Sequence, residues 1–507
     1  MGDYNRPIFI ILVVQFFMQH LYSQLRIEKE ERQPVYLQLA DQLMSLIRNG
    51  PLHAGQRLPS SRDMAEQLQV HRKTVVRAYD ELLAQGWLES HTGSGTFVAR
   101  HLPKTQLQTL NGKKSDAPDP PTKAGFSFEV PVHLERPIVK SVAPLHLDDG
   151  FPDSRLAPLE ELSRCYRSQL LLGNPYMRLG YSDTNGTLWL RQELSAYLNE
   201  TRGLHTTPDN ILVVRGTIMG MYLVATGLLQ PGDNVVTGDL SWAGAGANAA
   251  QVGAHLLKIP VDEYGLDTTA LEQLCKKKKI RLVYVTPHHH YPTTVIMRAD
   301  RRLHLLQLAE KYGFIIFEDD YDYDFHYLSK PLTPLASADK AGMVMYGGSF
   351  TKAVSPAFRI GYLVGPADVL NYLSKLRRII DRQGDNMLEN AIAALLQSGV
   401  IQRCLRKSLR IYRERRDVFC DLLQTELGKY VQFQPPVGGL AVWADFDKRI
   451  NMAALSQQAL RQDLYIYDGS AYRQSLPAHN FTRLGFASST PEELEECVGI
   501  LKVLLGK

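Results

Sequence analysis

Cysteine is scarce and scattered. The 507 residues include five, Cys165, Cys275, Cys404, Cys420 and Cys497, and no two form a Cys-x-x-Cys pair. An odd, dispersed set excludes a disulfide framework and a thiolate zinc site, and it fits a reducing cytoplasm, the expected location. Long hydrophobic runs are missing too. The apolar stretch from Pro7 to Met18, PIFIILVVQFFM, is shorter than the ~20 residues that span a bilayer, and no small-residue cleavage site follows it. It reads as an N-terminal extension from an upstream start, with a membrane tether as the alternative; no stable membrane association is expected. Charge of one sign is not in excess. The net charge is +4, so any case for nucleic acid must come from local charge. Fifteen histidines include the run His288-His289-His290, but no carboxylate or cysteine stands at a ligand spacing from it, and no metal site is expected. What remains is ordinary for a globular protein, at 44% hydrophobic and 22% charged, which excludes disorder and a multispan membrane protein.

The length allows two to four domains, and no internal repeat is visible. Four segments are expected: an extension over 1–31, a helix-rich, turn-punctuated head over 32–100, a linker over 101–144 and a large body over 145–507. The linker is rich in Pro, Lys, Asp and Thr and has no apolar period. In the body, strand-like runs at 211–214, 234–238, 281–287, 314–319 and 342–350 alternate with amphipathic stretches. That alternation predicts an α/β domain with a mainly parallel sheet, and the length suits a smaller C-terminal lobe besides.

In the head, Leu39, Leu43, Leu46 and Ile47 give Val35–Arg48 an amphipathic helix pattern. A short helix over Arg62–Leu68, capped by Ser60 or Ser61, turns at Gln69-Val70 into a second helix over Arg72–Gln85. The second helix is expected to bury Val75, Val76, Tyr79, Leu82 and Leu83, and to begin with polar and basic residues able to enter a major groove. WLESHTGSGTFV then reads as two strands around a Gly-Ser-Gly wing. Nine Lys or Arg face six Asp or Glu between Arg32 and Lys104, a mild excess that a solvated surface would also show. The stretch from LPSSRDMAEQ to GSGTFV resembles the GntR family of winged helix-turn-helix regulators over about residues 34–99. The resemblance implies operator DNA as partner, contacted by Arg57, Ser60, Arg62, Arg72, Lys73, Thr74 and the Gly93–Gly95 wing. His71 departs from the commoner serine.

In the body, Gly216-Thr217-Ile218-Met219-Gly220 stands between the run ILVVR and an apolar helix over Met221–Leu229, a setting for a phosphate cradle. FIIFEDDYDYDF ends a buried strand in carboxylates and a tyrosine, either a partner for a pyridinium nitrogen or an acidic loop. GGSFTKAVSPAFRIGY brings Ser349, Lys352 and Arg359 into one segment, as a Schiff base with a phosphorylated aldehyde requires. The body resembles the fold type I aminotransferases over about residues 145–505, and the whole chain resembles the MocR subfamily of GntR regulators. The fold implied is a winged helix-turn-helix head on a fold type I, pyridoxal-phosphate-dependent transferase body, with a mainly parallel central sheet and a small C-terminal α+β lobe.

The resemblance also implies roles. Lys352 would hold pyridoxal 5′-phosphate as the internal aldimine, Asp319 would face the ring nitrogen, and Tyr321 the ring oxygen. Thr217, Ser349, Arg359 and the backbone around Gly216 and Ile218 would hold the phosphate. Trp242 would stack on the ring, Arg483 would take a substrate carboxylate, and Tyr181 would reach the cofactor of a homodimer partner. Two departures stand out. Tyr291 occupies an asparagine position of the enzymes, and Thr294 replaces a glycine, which calls for a different backbone angle or a shifted loop. Two functions stay open: a regulator sensing the cofactor or an amino compound joined to it, and a working aminotransferase with a DNA-binding head. The altered loop and the head favour the sensor.

Overall fold

The computed structural model describes residues 21–31, 33–102, 122–135, 143–328, 332–352, 354–473 and 479–506. The apolar run 7–18 and most of the proposed linker lie outside them. The chain forms two compact units, Met1–Ser127 and Phe128–Lys507.

Among the described residues of the first unit, three helices and a ribbon follow a helical stretch at 21–24. α1 (Val35–Arg48) buries Leu39, Leu43 and Ile47, α2 (Ser61–Gln67) buries Met64 and Ala65, and α3 (Arg72–Ala84) buries Val75, Ala78, Tyr79 and Leu82. Spacings of three and four keep the α1 and α3 sets each on one face. Val76 does not join it. One residue on from Val75, it turns about 100° away and is 38% exposed, on the side that carries Arg72, Lys73 and Arg77. Ser60 caps α2, accepting from Asp63 N at 3.3 Å. His71 caps α3 through Nδ1, which accepts from Lys73 N at 3.1 Å, so the imidazole performs the service a serine usually gives. β1 (Leu88–His91) and β2 (Gly95–Val98) pair antiparallel, and the tip turns on Gly93 at φ +77° and Gly95 at φ +112°.

A seven-stranded sheet organises the second unit. Its strands are β3 (Ile211–Val214), β4 (Asn234–Gly238), β5 (His255–Ile259), β6 (Ile280–Val285), β7 (Ile315–Asp320), β8 (Val344–Ser349) and β9 (Gly361–Val364), in the order β3-β9-β8-β7-β6-β4-β5. Only β9 runs against its neighbours in this sheet. Apolar clusters cover both faces, which is why the strands read as continuous rather than alternating hydrophobic runs. The helix expected from Met221 starts earlier: α4 spans Thr217–Leu228, because Gly216 at φ +78° lets the chain enter the helix at once. In the smaller lobe β10 (Val431–Phe433), β11 (Ala441–Phe446) and β12 (Asn480–Gly485) form an antiparallel sheet. Leu145–Leu147 pairs parallel with Leu464–Ile466 beside it, so the loop starting at Asp148 springs from this lobe. No helix among the described residues is long and apolar enough to cross a membrane.

Candidate functional site

One edge of the large sheet gathers the reactive side chains. β3, β4, β6, β7 and β8 end there and β9 begins there, and ligands of open α/β sheets bind outside such carboxyl ends. Gly216 follows β3, Trp242 lies beyond β4, Asp319 and Tyr321 flank the end of β7, Ser349 closes β8 with Lys352 three residues on, and Arg359 precedes β9.

The start of α4 is a donor cradle. Its first N–H groups, including those of Thr217 and Ile218, have no partner within the helix. A Cβ on Gly216 would stand 2.7 Å from Arg359 Nη2, and one on Gly361 would stand 2.6 Å from Gly216 Cα. The guanidinium therefore lies directly on the helix start, where Nη2 also donates to Arg215 O at 2.9 Å. Ser349 pairs with Gly361 across the β8–β9 ladder. The N–H groups of Thr217 and Ile218, the Ser349 hydroxyl, which here contacts Thr351 Oγ1 and Ile360 O, and the Arg359 guanidinium thus come together as donors suited to a phosphate.

Asp319 offers the opposite chemistry. Its Oδ2 accepts from Tyr284 Oη at 2.8 Å, while Oδ1 is buried and meets no donor among the described residues. Burial pushes the carboxyl pKa up to about 6 against the Tyr284 hydrogen bond; the Asp322 charge adds to the rise and the Thr217 hydroxyl opposes it. A protonated ring nitrogen would supply the donor that Oδ1 lacks. The orphaned oxygen and the phosphate cradle together fit pyridoxal phosphate.

Lys352 and Arg483 meet at one loop. Lys352 Nζ donates to Gly150 O at 2.5 Å. Burial lowers its pKa, Asp149 and Asp148 draw it back up, and Arg483 lowers it further. A depressed lysine keeps more of the neutral amine that attacks a carbonyl. Arg483, in β12 and 3% exposed, donates from Nη1 to Pro292 O at 2.8 Å. Gly150 at φ +82° makes the approach possible, since a Cβ there would stand 3.2 Å from Arg483 Nη2.

The Trp242 ring centroid is 6.1 Å from that of Tyr284, the partner of Asp319, and Tyr181, expected at the cofactor of a second copy, lies at the surface. Trp242 lies over its own helix start, where a Cβ on Gly244 would be 2.1 Å from the indole Cζ2. Tyr181 is 78% exposed, with the Arg382 guanidinium 3.8 Å above its ring. Tyr321 lies at the site, its hydroxyl donating to His289 O at 3.0 Å.

On the first unit, Arg57, Ser60, Arg62, Arg72 and Lys73 are exposed, and Thr74 is half-buried. Arg72 Nε donates to Ser61 Oγ at 3.3 Å, tying the two helices at the turn. Arg57 bridges to Phe97 of the wing and lies against Gly95, where a Cβ would be 3.1 Å from Nε. Glycine at 95 lets this cation lie flat on the ribbon.

Residues 160–501 match the family model for aminotransferase class I and II, and residues 35–98 match that for bacterial regulatory proteins of the gntR family. The probable rhizopine catabolism regulatory protein MocR of Rhizobium meliloti is 29% identical, over 94% of each chain. The pyridoxine biosynthesis transcriptional regulator PdxR of Corynebacterium glutamicum is 29% identical, over 80% of this chain and 81% of that one. The chain belongs to the aminotransferase class I and II family, joined to a GntR-family head in the MocR-type arrangement. Among solved structures, an archaeal alanine:glyoxylate aminotransferase superposes with TM-score 0.66 at 26% identity, covering 71% of this chain and 90% of that one. A kynurenine aminotransferase of Pyrococcus horikoshii, in complex with PMP, superposes with TM-score 0.66 at 25% identity, over 71% of this chain and 90% of that one.

In the loop after β6, Thr294 holds φ +62°, the left-handed region that favours glycine, at a strain of roughly 1–3 kcal/mol. The three histidines serve the loop and its neighbours. His289 Nδ1 lies 2.8 Å from Asp322 Oδ1, His290 Nδ1 lies 3.0 Å from Thr293 Oγ1, and His288 Nε2 contacts Leu332 O. Among the described residues no group of three or more His, Cys, Asp or Glu is placed to hold a metal ion. Sequence reasoning missed Tyr284 and Asp149. Tyr284 sits mid-strand in an apolar run, where a lone hydroxyl was the only signal. Asp149, in the sequence LDDGF, carried none; its partner, Arg483, lies more than 300 residues on.

Proposed function

We propose that the protein is a DNA-binding transcription regulator whose body binds pyridoxal 5′-phosphate and an amino compound, and whose head responds to their presence. The carrying observation is the buried Asp319 Oδ1 without a donor, set beside the Gly216–Arg359 cradle in a chain that also presents an exposed recognition helix. Lys352 would hold the cofactor covalently and Asp319 would accept from its ring nitrogen. Tyr321 would face the ring oxygen. Gly216, Thr217, Ile218, Ser349 and Arg359 would hold its phosphate, and Trp242 would flank the ring after turning from Gly244. When bound, the cofactor supplies an aldehyde that an amine can engage and an electron-withdrawing ring.

A ligand amine in this site would compete with the Lys352 amine, which, when not holding the cofactor, donates to Gly150 O. A ligand that binds two states of the body unequally shifts their populations, and the head reads the shift. Arg57, Ser60, Arg62, Arg72, Lys73 and Thr74, with the Gly93 and Gly95 wing, would contact operator phosphates and base edges. A homodimer suits two half-sites. Leu170, Leu171, Leu172, Tyr176 and Leu179 expose apolar surface beside Tyr181, a surface that a second copy would cover and from which Tyr181 would reach its site. The proposed division is an extension over 1–31, the head over 32–100, a linker over 101–144 and the body over 145–507, working in the cytoplasm where operator DNA is found.

The test is a visible absorbance spectrum of the purified protein with added pyridoxal phosphate. The expected band of a lysine-bound pyridoxal disappears in Lys352→Ala. A wild-type protein without that band contradicts the cofactor reading, and turnover of an amino acid with a 2-oxo acid at ordinary enzyme rates replaces sensor by enzyme.

A further inference from the structure

Arg483 already has a carboxylate. Its Nε lies 2.7 Å from Asp149 Oδ1, and Tyr291 Oη donates to Asp149 Oδ2 at 2.9 Å. The Arg483 side chain is 3% exposed and that of Asp149 is 45% exposed, so the acid reaches the buried guanidinium from the solvent side. The remaining sides are filled. Nη1 is bound to Pro292 O, the Tyr291 ring centroid is 4.9 Å from the guanidinium carbon, and Nη2 lies against Gly150. The loop that presents Asp149 is itself fastened. Asp148 Oδ1 accepts from Gly150 N at 2.8 Å and from Phe151 N at 2.7 Å, and Oδ2 accepts from Ser488 Oγ at 2.8 Å. The same loop gives Gly150 O to Lys352 Nζ. The chain's own acid therefore stands on the arginine beside the reactive lysine.

We propose that Asp149 sets the ligand class of this site, making it selective for primary amines that carry no carboxylate on the nitrogen-bearing carbon. The proposal rests on the amine-sensing reading above. Two carboxylates cannot share one buried guanidinium without repulsion, so an α-amino acid must expel Asp149 and break its Tyr291 hydrogen bond. An amine without that carboxylate displaces nothing. The Asp149 contact is an ion pair without an aligned hydrogen bond, because Nε finds no acceptor in line. Removing Asp149 thus frees the Nε side of Arg483 to take a ligand carboxylate in line.

Two measurements test this. In cofactor-free protein, thermal unfolding is followed in sodium propionate and in sodium chloride at equal ionic strength. Asp149→Asn is expected to gain a saturable, propionate-specific rise in midpoint that wild type lacks and that the double variant with Arg483→Gln loses. In loaded protein, isoamylamine and L-leucine are titrated by the change in visible absorbance. Wild type is expected to prefer the amine, and in Asp149→Asn the leucine-to-isoamylamine ratio of dissociation constants falls at least tenfold. Tyr291→Phe keeps the charge but loosens Asp149, and gives a smaller change of the same sign should Asp149→Asn fail to fold. Equal propionate response in wild type and variants, or an unchanged ratio, overturns the proposal. A protein with no visible band removes the cofactor reading alone, and the propionate measurement still decides the role of Asp149.

Discussion

Replacing Asp319 by asparagine should stabilise the cofactor-free protein while weakening its hold on the cofactor. In the cofactor-free protein the carboxyl pKa is pushed up to about 6 from an ordinary 3.8, mainly by burial. Below about pH 4 the group is protonated in both folded and unfolded chains and imposes no penalty. Between about 4 and 6 the unfolded chain ionises while the folded one resists, so stability falls as pH rises through this window and stays lower above it. The penalty at pH 8 is about 3 kcal/mol as an upper figure. Asparagine has the same shape, still meets Tyr284 Oη and carries no charge, so it escapes the penalty. Urea denaturation of cofactor-free wild type and Asp319→Asn at pH 4 and pH 8 is the assay. The two should be close at pH 4, and the variant should be the more stable by up to about 3 kcal/mol at pH 8. Fluorescence titration with pyridoxal phosphate should then show weaker binding by the variant at pH 8. A variant that is less stable at pH 8, or that binds the cofactor as tightly as wild type, refutes the reasoning, because it means that Oδ1 is not waiting for a donor.

Other outcomes follow from single contacts. Gly216→Ala puts a methyl 2.7 Å from Arg359 Nη2 at a residue with φ +78°, so phosphate retention should fall sharply in equilibrium dialysis while the fold persists by circular dichroism. His71→Ala removes the α3 cap and should destabilise the head by about 1 kcal/mol, seen as a lower denaturation midpoint, whereas His71→Ser should restore it. Lys73→Ala removes an exposed cation at the start of α3 and should weaken binding to all DNA sequences alike, lowering the slope of log affinity against log salt by about 1.

The parts legible in the sequence were those written in local pattern. α1, α2, α3 and the wing announce themselves through a 3.6-residue period, cap residues and a glycine turn, and the body's strands through apolar runs between helices. Lys352, Ser349 and Arg359 could be read together because eleven residues hold all three. The misreadings have physical causes. Val76 looked apolar and was assigned to the core, but its neighbours Val75 and Tyr79 fix the helix rotation and turn it outward. α4 began four residues early because a single positive φ at Gly216 replaces the expected turn. Tyr284 on Asp319 and Asp149 on Arg483 were invisible because each pair is made by the fold, across neighbouring strands in one case and between the ends of the second unit in the other.

The central claim is that the cofactor site governs the DNA-binding head. Operator affinity of the full chain, measured by fluorescence anisotropy on labelled operator DNA with and without pyridoxal phosphate and amine, tests it most directly. The account predicts that ligand shifts the wild-type affinity and that Lys352→Ala abolishes the shift while still binding DNA. Identical affinity with and without ligand in wild type, or an undiminished shift in Lys352→Ala, contradicts it.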